Sequence, residues 1–309
     1  MLAKVMNYNP RKELPSQRAA LIDIAVWTCY YVFTQMTIGL RPIHLLLSGL
    51  FNVLFFASRY TRSLALCMIP FLLFGIKYDY QRLFPNYLYN EICVEELYNL
   101  EKSLFGVNVD GQMLTLNEFF AQHTCAIADF LAGIFYLCWV PVPVAFGFYL
   151  FLSGRQKVCP RFTWGFLLLN LAGFCIYYIF PAAPPWYYAQ YGAEPILGLL
   201  GSPAGLVRFD HLLGITLFQD MYGMTSNVYA AMPSMHCTFC FFSFLYALKS
   251  RSHWSVRTLL GIISAGICFT AVYSGHHYLL DVIAGVTLAF AVYCLCEYVI
   301  VKRFFRFCV

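Results

Sequence analysis

Long apolar runs separated by short polar clusters make up most of the chain. A helical bilayer crossing needs about 20 mostly apolar residues. Eight stretches approach that length: 20–39, 43–58, 63–76, 129–152, 162–180, 228–248, 258–275 and 278–300. The second and third are short enough to tilt or re-enter. Two long polar segments remain, 77–128 and 181–227, and no internal repeat is visible. The pattern predicts an all-α, polytopic transmembrane helix bundle of about eight spans with interfacial segments on its outer face. It divides into N-terminal transmembrane helices over 1–76, an outer-side interfacial segment over 77–128, a transmembrane core over 129–300 and a basic cytoplasmic tail over 301–309.

Charge placement orients that bundle. With eight crossings and both termini cytoplasmic, fifteen of the 20 Lys and Arg residues fall on one side, among them Lys4, Arg18, Arg59, Arg155, Lys249 and Lys302. The other side receives Arg41, Lys77, Arg82, Lys102 and Arg208. Basic residues concentrate on the cytoplasmic side of membrane proteins, so both long polar segments are expected outside, in a periplasm or a lumen. Removing any single span mixes the two sets. Six spans and a re-entrant pair fit equally well.

Composition agrees. The chain is 61% hydrophobic and 11% charged, against about 25% charged in soluble domains, so lipid must be the solvent for much of it. The formal charge of +5 calls for no nucleic-acid partner, because the charge lies in loops. Most of the 13 cysteines sit in apolar runs and act as small buried hydrophobes. No acidic or Cys/His cluster has metal-ligand spacing, so neither metal nor cofactor is expected, and nothing points to an obligate protein partner.

Candidate chemistry gathers where two spans begin. Residues 273–285 read Tyr-Ser-Gly-His-His-Tyr-Leu-Leu-Asp-Val-Ile-Ala-Gly. His277 and Asp281 are four apart and share one helix face. An acid in a membrane span is a functional hint. Paired with His277, it holds one ring nitrogen and raises the basicity of the other, unless the two form only a structural cap. His276 faces elsewhere on the helix and reads as a packing or interface residue. Residues 231–238 read Ala-Met-Pro-Ser-Met-His-Cys-Thr. Pro233 and Ser234 suit the start of a helix, which puts His236 beside free backbone N–H groups that favour an anion. A histidine there can protonate a leaving oxygen, or be a satisfied interfacial residue. The span map brings His236, His277 and Asp281 to one plane on one side, which fits phosphoryl transfer through a phosphohistidine. Between the fifth and sixth runs, Trp186 and Tyr187 suit either a sugar-like ring or a membrane belt. Arg208 suits either a phosphate or a salt bridge to Asp210 or a neighbour.

The blocks Pro-Ser-Met-His at 233–236 and His-His-Tyr-Leu-Leu-Asp at 276–281 resemble the P-S-x-H and H-x-x-x-D motifs of the type 2 phosphatidic acid phosphatase (PAP2) superfamily. With Phe-Pro-Ala-Ala-Pro-Pro-Trp-Tyr at 180–187 and Gly-Ser-Pro-Ala-Gly-Leu-Val-Arg-Phe-Asp at 201–210, the likeness narrows to the inositol phosphorylceramide synthases of fungi and their bacterial relatives. It covers roughly residues 120–300. The resemblance implies a six-helix PAP2-like core, with His277 as nucleophile, Asp281 as its orienter and His236 as general acid. It implies Arg208, Ser234, Trp186, Tyr187, Asp210 and His276 as candidates for substrate binding. It further implies a phosphatidylinositol donor and a ceramide acceptor taken from the bilayer. The superfamily's Ser-Arg pair, six residues before the nucleophile, falls on Thr270 and Ala271 here, so the phosphate must be gripped otherwise. Two rivals stay open. Attack by water on the same intermediate makes a lipid phosphatase or phosphodiesterase. A transporter would need its polar residues near the bilayer midplane, whereas these lie at span starts.

Overall fold

The computed structural model describes residues 14–223 and 227–301. They are mostly helical, as the apolar pattern predicts, with one antiparallel hairpin pairing Val107–Val109 with Gln112–Leu114. The tail at 301–309 lies outside the described residues except for Val301, as do Lys4, Arg11 and Lys12. Two compact units form, Met1–Leu83 and Phe84–Val309.

The first unit holds α1 (Gln17–Thr37), α2 (Pro42–Ala57) and α3 (Arg59–Tyr80). The Ser16 hydroxyl accepts the Ala19 N–H at 3.2 Å and starts α1. Pro42 starts α2, where its missing N–H would have had no helical partner anyway. Ser58 and Thr61 cap α3 reciprocally. The run 63–76 therefore proves to be the middle of a longer helix whose polar ends carry Arg59, Arg62, Lys77 and Asp79. The run 43–58 stays short: α2 has 16 residues, about 24 Å at 1.5 Å per residue. Arg41, His44 and Arg82 all converge on the Asp79 carboxylate, where α2 begins and α3 ends.

The second unit opens with α4 (Glu95–Phe105), the hairpin and α5 (Leu116–Gln122). There follow α6 (Ala126–Leu137), α7 (Pro141–Leu152) and α8 (Cys159–Ile179). Three short helices come next, α9 (Pro185–Tyr191), α10 (Val207–Leu213) and α11 (Leu217–Gly223). The unit ends with α12 (Met235–Lys249), α13 (Trp254–Tyr273) and α14 (Leu279–Cys294), which continues through a π-helical turn, Leu295–Ile300. Two boundaries differ from the apolar pattern. The run 129–152 is not one straight span but α6 and α7, meeting at 52°. Pro141 and Pro143 explain the break, since each lacks an N–H and crowds the carbonyl four residues back. The run 228–248 becomes helical only at Met235, because residues around Ala230 pair as extended chain and Pro233 suits only a helix start.

Among the described residues, five helices are long and apolar enough to cross a membrane, or six when α6 and α7 count as one. This is an integral membrane protein. Its α12 packs along both α13 and α14. Fully buried Phe162, Phe166, Phe239, Phe242 and Tyr246 interlock between α8 and α12. Aromatic pairs contribute about 0.5–1.5 kcal/mol beyond their area, so a large part of the aromatic content is core rather than interfacial belt.

Candidate active site

The loop between α13 and α14 is built to present a histidine. Gly275 turns the chain with φ +74°, a conformation in which a side chain would be strained. The N–H groups of His276 and His277 both donate to the Ala271 carbonyl, at 3.1 and 2.9 Å. Tyr278 then caps α14, and its N–H donates to Asp281 Oδ2 at 2.8 Å.

His277 is 4% exposed and meets the partly exposed His236, with Nε2 of the former 3.1 Å from Nδ1 of the latter. The protons in this contact follow from its ends. Nδ1 of His277 lies 2.9 Å from the Ala231 carbonyl, which can only accept, so that nitrogen carries a proton. Asp281 Oδ2, 3.5 Å away, favours the same arrangement. In the neutral ring Nε2 then has a lone pair and faces the Nδ1–H of His236. Nε2 of His236 in turn accepts from the Tyr136 hydroxyl at 2.9 Å, and Tyr136 contacts the Tyr222 hydroxyl. One polarised chain therefore runs from two tyrosines through two histidines to a backbone carbonyl. It leaves a nucleophilic nitrogen facing a proton donor.

The Ala231 carbonyl is fixed by three extended segments lying side by side. Ala231 N–H donates to the Ala182 carbonyl at 3.2 Å, and Ala182 N–H to Tyr229 at 3.1 Å. On the other edge Ala183 N–H donates to Cys93 at 2.9 Å, and Cys93 N–H to Pro181 at 2.8 Å. The block Phe-Pro-Ala-Ala-Pro-Pro is thus the middle strand behind His277, and its alanines are almost fully buried.

The PAP2 superfamily profile matches residues 95–295, the stretch that contains His236, His277, Asp281, Tyr136 and Tyr222. The phosphoinositol dihydroceramide synthase of Bacteroides thetaiotaomicron is 48% identical over 95% of this chain and 96% of its own length. This chain belongs to the PAP2 superfamily, among the inositol phosphorylceramide synthase-type members. The catalytic subunit of inositol phosphorylceramide synthase from Schizosaccharomyces pombe is 30% identical over 74% of the chain and 53% of its own length. The inositol phosphorylceramide synthase of Candida albicans is 29% identical over 65% of the chain and 41% of its own length. No solved structure gives a significant match.

The other candidate residues of this PAP2 protein are distributed unevenly. Ser234 is fully buried at the head of α12, and its hydroxyl contacts Cys237 Sγ at 3.3 Å instead of capping the helix. His276, 4% exposed, packs against the rings of both Tyr136 and Tyr222, and its Nδ1 lies 2.9 Å from the Ser274 hydroxyl. Burial, and then the nearby His277, push its pKa down to about 3. Arg208 pairs with Asp129 at 2.6 Å, not with Asp210, and lies over the Tyr273 ring. Asp210 accepts the N–H groups of Phe218 and Gln219 and so starts α11. The N–H of Trp186 donates to the Gly275 carbonyl at 3.0 Å, which ties α9 to the loop that carries His277. Tyr187 is fully buried, with its hydroxyl between Glu194 and Ile196.

Sequence reasoning passed over Tyr136, Tyr222 and Asn117. Tyr136 is one of 23 tyrosines in an aromatic-rich chain, and nothing in its own run distinguishes it. Asn117 donates from Nδ2 to the carbonyls of Val272 and His277, at 2.8 and 2.9 Å, from a segment with no recognised motif. A polar residue that opens a short helix was its only local signal.

Proposed function

We propose that this protein moves a phosphoinositol headgroup from phosphatidylinositol to the primary hydroxyl of a ceramide or dihydroceramide, through a phosphohistidine on His277. The observation that carries the reading is the 3.1 Å contact between Nε2 of His277 and Nδ1 of His236, with Nδ1 of His277 held by the Ala231 carbonyl. The names of the relatives supply the lipid classes.

The donor phosphate separates the two rings as it binds. His277 Nε2 attacks phosphorus and forms a P–N bond, while the P–O bond to the glycerol carbon's oxygen breaks. With the anionic phosphodiester bound, His236 takes a second proton on Nε2, which then donates to the Tyr136 oxygen; its Nδ1 gives the other proton to the leaving oxygen, the ring becomes neutral, and diacylglycerol leaves. The ceramide hydroxyl then loses its proton to His236 Nδ1, its oxygen attacks phosphorus and the P–N bond breaks. Such chemistry depends mainly on positioning and charge stabilisation. Asp281 and the Ala231 carbonyl keep the His277 proton on Nδ1 throughout and stabilise the charge that the phosphorylated ring carries. Arg208 supplies positive charge beside the Tyr273 end of the loop, tempered by Asp129. The fifteen-to-five distribution of basic residues supports an outer-facing site, periplasmic or lumenal, with cytoplasmic termini. Both lipids are drawn from the bilayer.

The test is purified protein in detergent with phosphatidylinositol labelled in its headgroup, with and without ceramide, and with chelator throughout. Label in a new lipid only when ceramide is present supports the transferase. Water-soluble inositol phosphate released regardless of ceramide would instead make the protein a hydrolase with the same intermediate.

A further inference from the structure

Two buried side chains outside the bundle grip the backbone on both sides of His277, and the reaction uses neither. Glu101, on α4, is 0% exposed. Its Oε1 accepts the Leu279 N–H at 3.0 Å and its Oε2 accepts the Leu280 N–H at 3.1 Å. These are the first two amides of α14. Asn117, on α5, grips Val272 and His277 by their carbonyls. The four backbone atoms bracket the end of α13, the Gly275 turn, the nucleophile and the start of the helix that carries Asp281.

Strong donors offset part of the desolvation cost of a buried carboxylate. A helix N-terminus supplies both donors and favourable charge. Here a residue 178 positions away in sequence provides the acid. Asp281, in the first turn, is the other carboxylate at this terminus and already accepts the Tyr278 N–H. Because Glu101 satisfies the next two amides, Asp281 is not drawn further into capping its own helix and its carboxylate stays beside His277. Asn117 does the same on the carbonyl side, holding the peptide of His277 itself. Both residues fall within the stretch matched by the family profile, which begins at residue 95.

We propose that Glu101 and Asn117 are positioning residues: together they clamp the 272–280 loop from the outer segment and set the aim of His277 at phosphorus. The idea rests on reading His277 as the nucleophile. It assigns a role to a segment, 77–128, that carries no catalytic motif.

The test uses the full chain in mixed micelles of phosphatidylinositol and ceramide, comparing wild type with Glu101→Gln and Asn117→Asp. Glutamine keeps the size but puts an N–H₂ against one of the two amides. Aspartate puts an anion against two carbonyls. A displacement of about 1 Å from a distant change can lower turnover about 100-fold. The clamp predicts that kcat falls about 10–100-fold in each variant while KM for the donor stays within about twofold. A merely structural role would lower the unfolding midpoint and the folded fraction in step with activity. Retained kcat in both variants, or a loss explained by unfolded protein, overturns the proposal. Hydrogen exchange over residues 272–282 gives a readout independent of substrate: faster exchange is expected at Leu279 and Leu280 in Glu101→Gln. Unchanged protection overturns the clamp even if the lipid substrates prove to be others. An inactive wild type with the expected exchange result would count against the proposed reaction alone.

Discussion

The backbone N–H of Ser234 donates to the backbone carbonyl of Asp281 across 2.9 Å, so the first turns of α12 and α14 are joined directly. Gly285 makes that approach possible. A β-carbon there would lie 2.5 Å from the Ser234 carbonyl oxygen and 2.6 Å from Thr238 Oγ1. Gly285→Ala must therefore push the two helix starts apart. We expect a loss of about 1–3 kcal/mol of stability, the usual cost of overpacking, and a disproportionate loss of turnover from misaligned histidines. Unfolding midpoint and kcat, measured on one preparation, check both.

His277→Ala removes the nitrogen proposed to attack phosphorus, and no lipid product should form above background. His236→Ala removes only a proton donor and acceptor. Positioned proton transfer contributes about 10²–10⁴-fold, so a residual rate within that range of wild type is expected. Headgroup-labelled enzyme, trapped by acid-free denaturation, should be detectable in the His236 variant and absent in the His277 variant. Substantial turnover by His277→Ala would remove the nucleophile assignment.

Tyr136→Phe deletes the hydroxyl bound to Nε2 of His236 and leaves the ring packing in place. The tautomer that points its Nδ1–H at His277 then rests on the His277 lone pair alone. One hydrogen bond is worth about 0.5–1.5 kcal/mol, and about 1.4 kcal/mol is tenfold in rate. A fall in kcat of up to about tenfold, with donor KM unchanged, is expected. No change in kcat would show that the tyrosine only fills space.

The depressed pKa of His276 couples folding to pH. Its folded value is about 3, against 6.5 for a free histidine. Below about pH 6.5 the unfolded chain binds a proton that the folded protein does not, so stability falls as pH drops from there toward 3. Glu101 acts oppositely, since burial raises its carboxyl pKa and its contribution is lost as pH rises. We expect His276→Gln to flatten the acid side of a plot of unfolding midpoint against pH. An unchanged slope would mean that another group governs acid sensitivity.

The bundle was legible because lipid leaves a simple signature: every apolar run contains a helix. Where the pattern misled, proline was the cause. Pro141 breaks one run, and Pro233 delays another until the extended residues before it have paired. The meeting of His236 with His277 was readable because each stands near the start of an apolar helix, α12 and α14, whose first turns lie together. Tyr136 was not, since its hydroxyl matters only through a partner 100 positions away. Glu101 and Asn117 act on backbone atoms, whose identity no side-chain pattern encodes. Arg208 had two readings at the sequence level, and its contact with Asp129 is a relation that chain order does not reveal.

The extended patch behind His277 has a consequence for biosynthesis. The residues meeting there are numbered 93, 182, 230 and 277, so no shorter stretch of the chain carries an oriented His277. A ribosome that has delivered everything through α8 has made a membrane anchor inert toward phospholipid. Reactivity toward the very lipids through which the polypeptide is being threaded arrives only when the final helices dock.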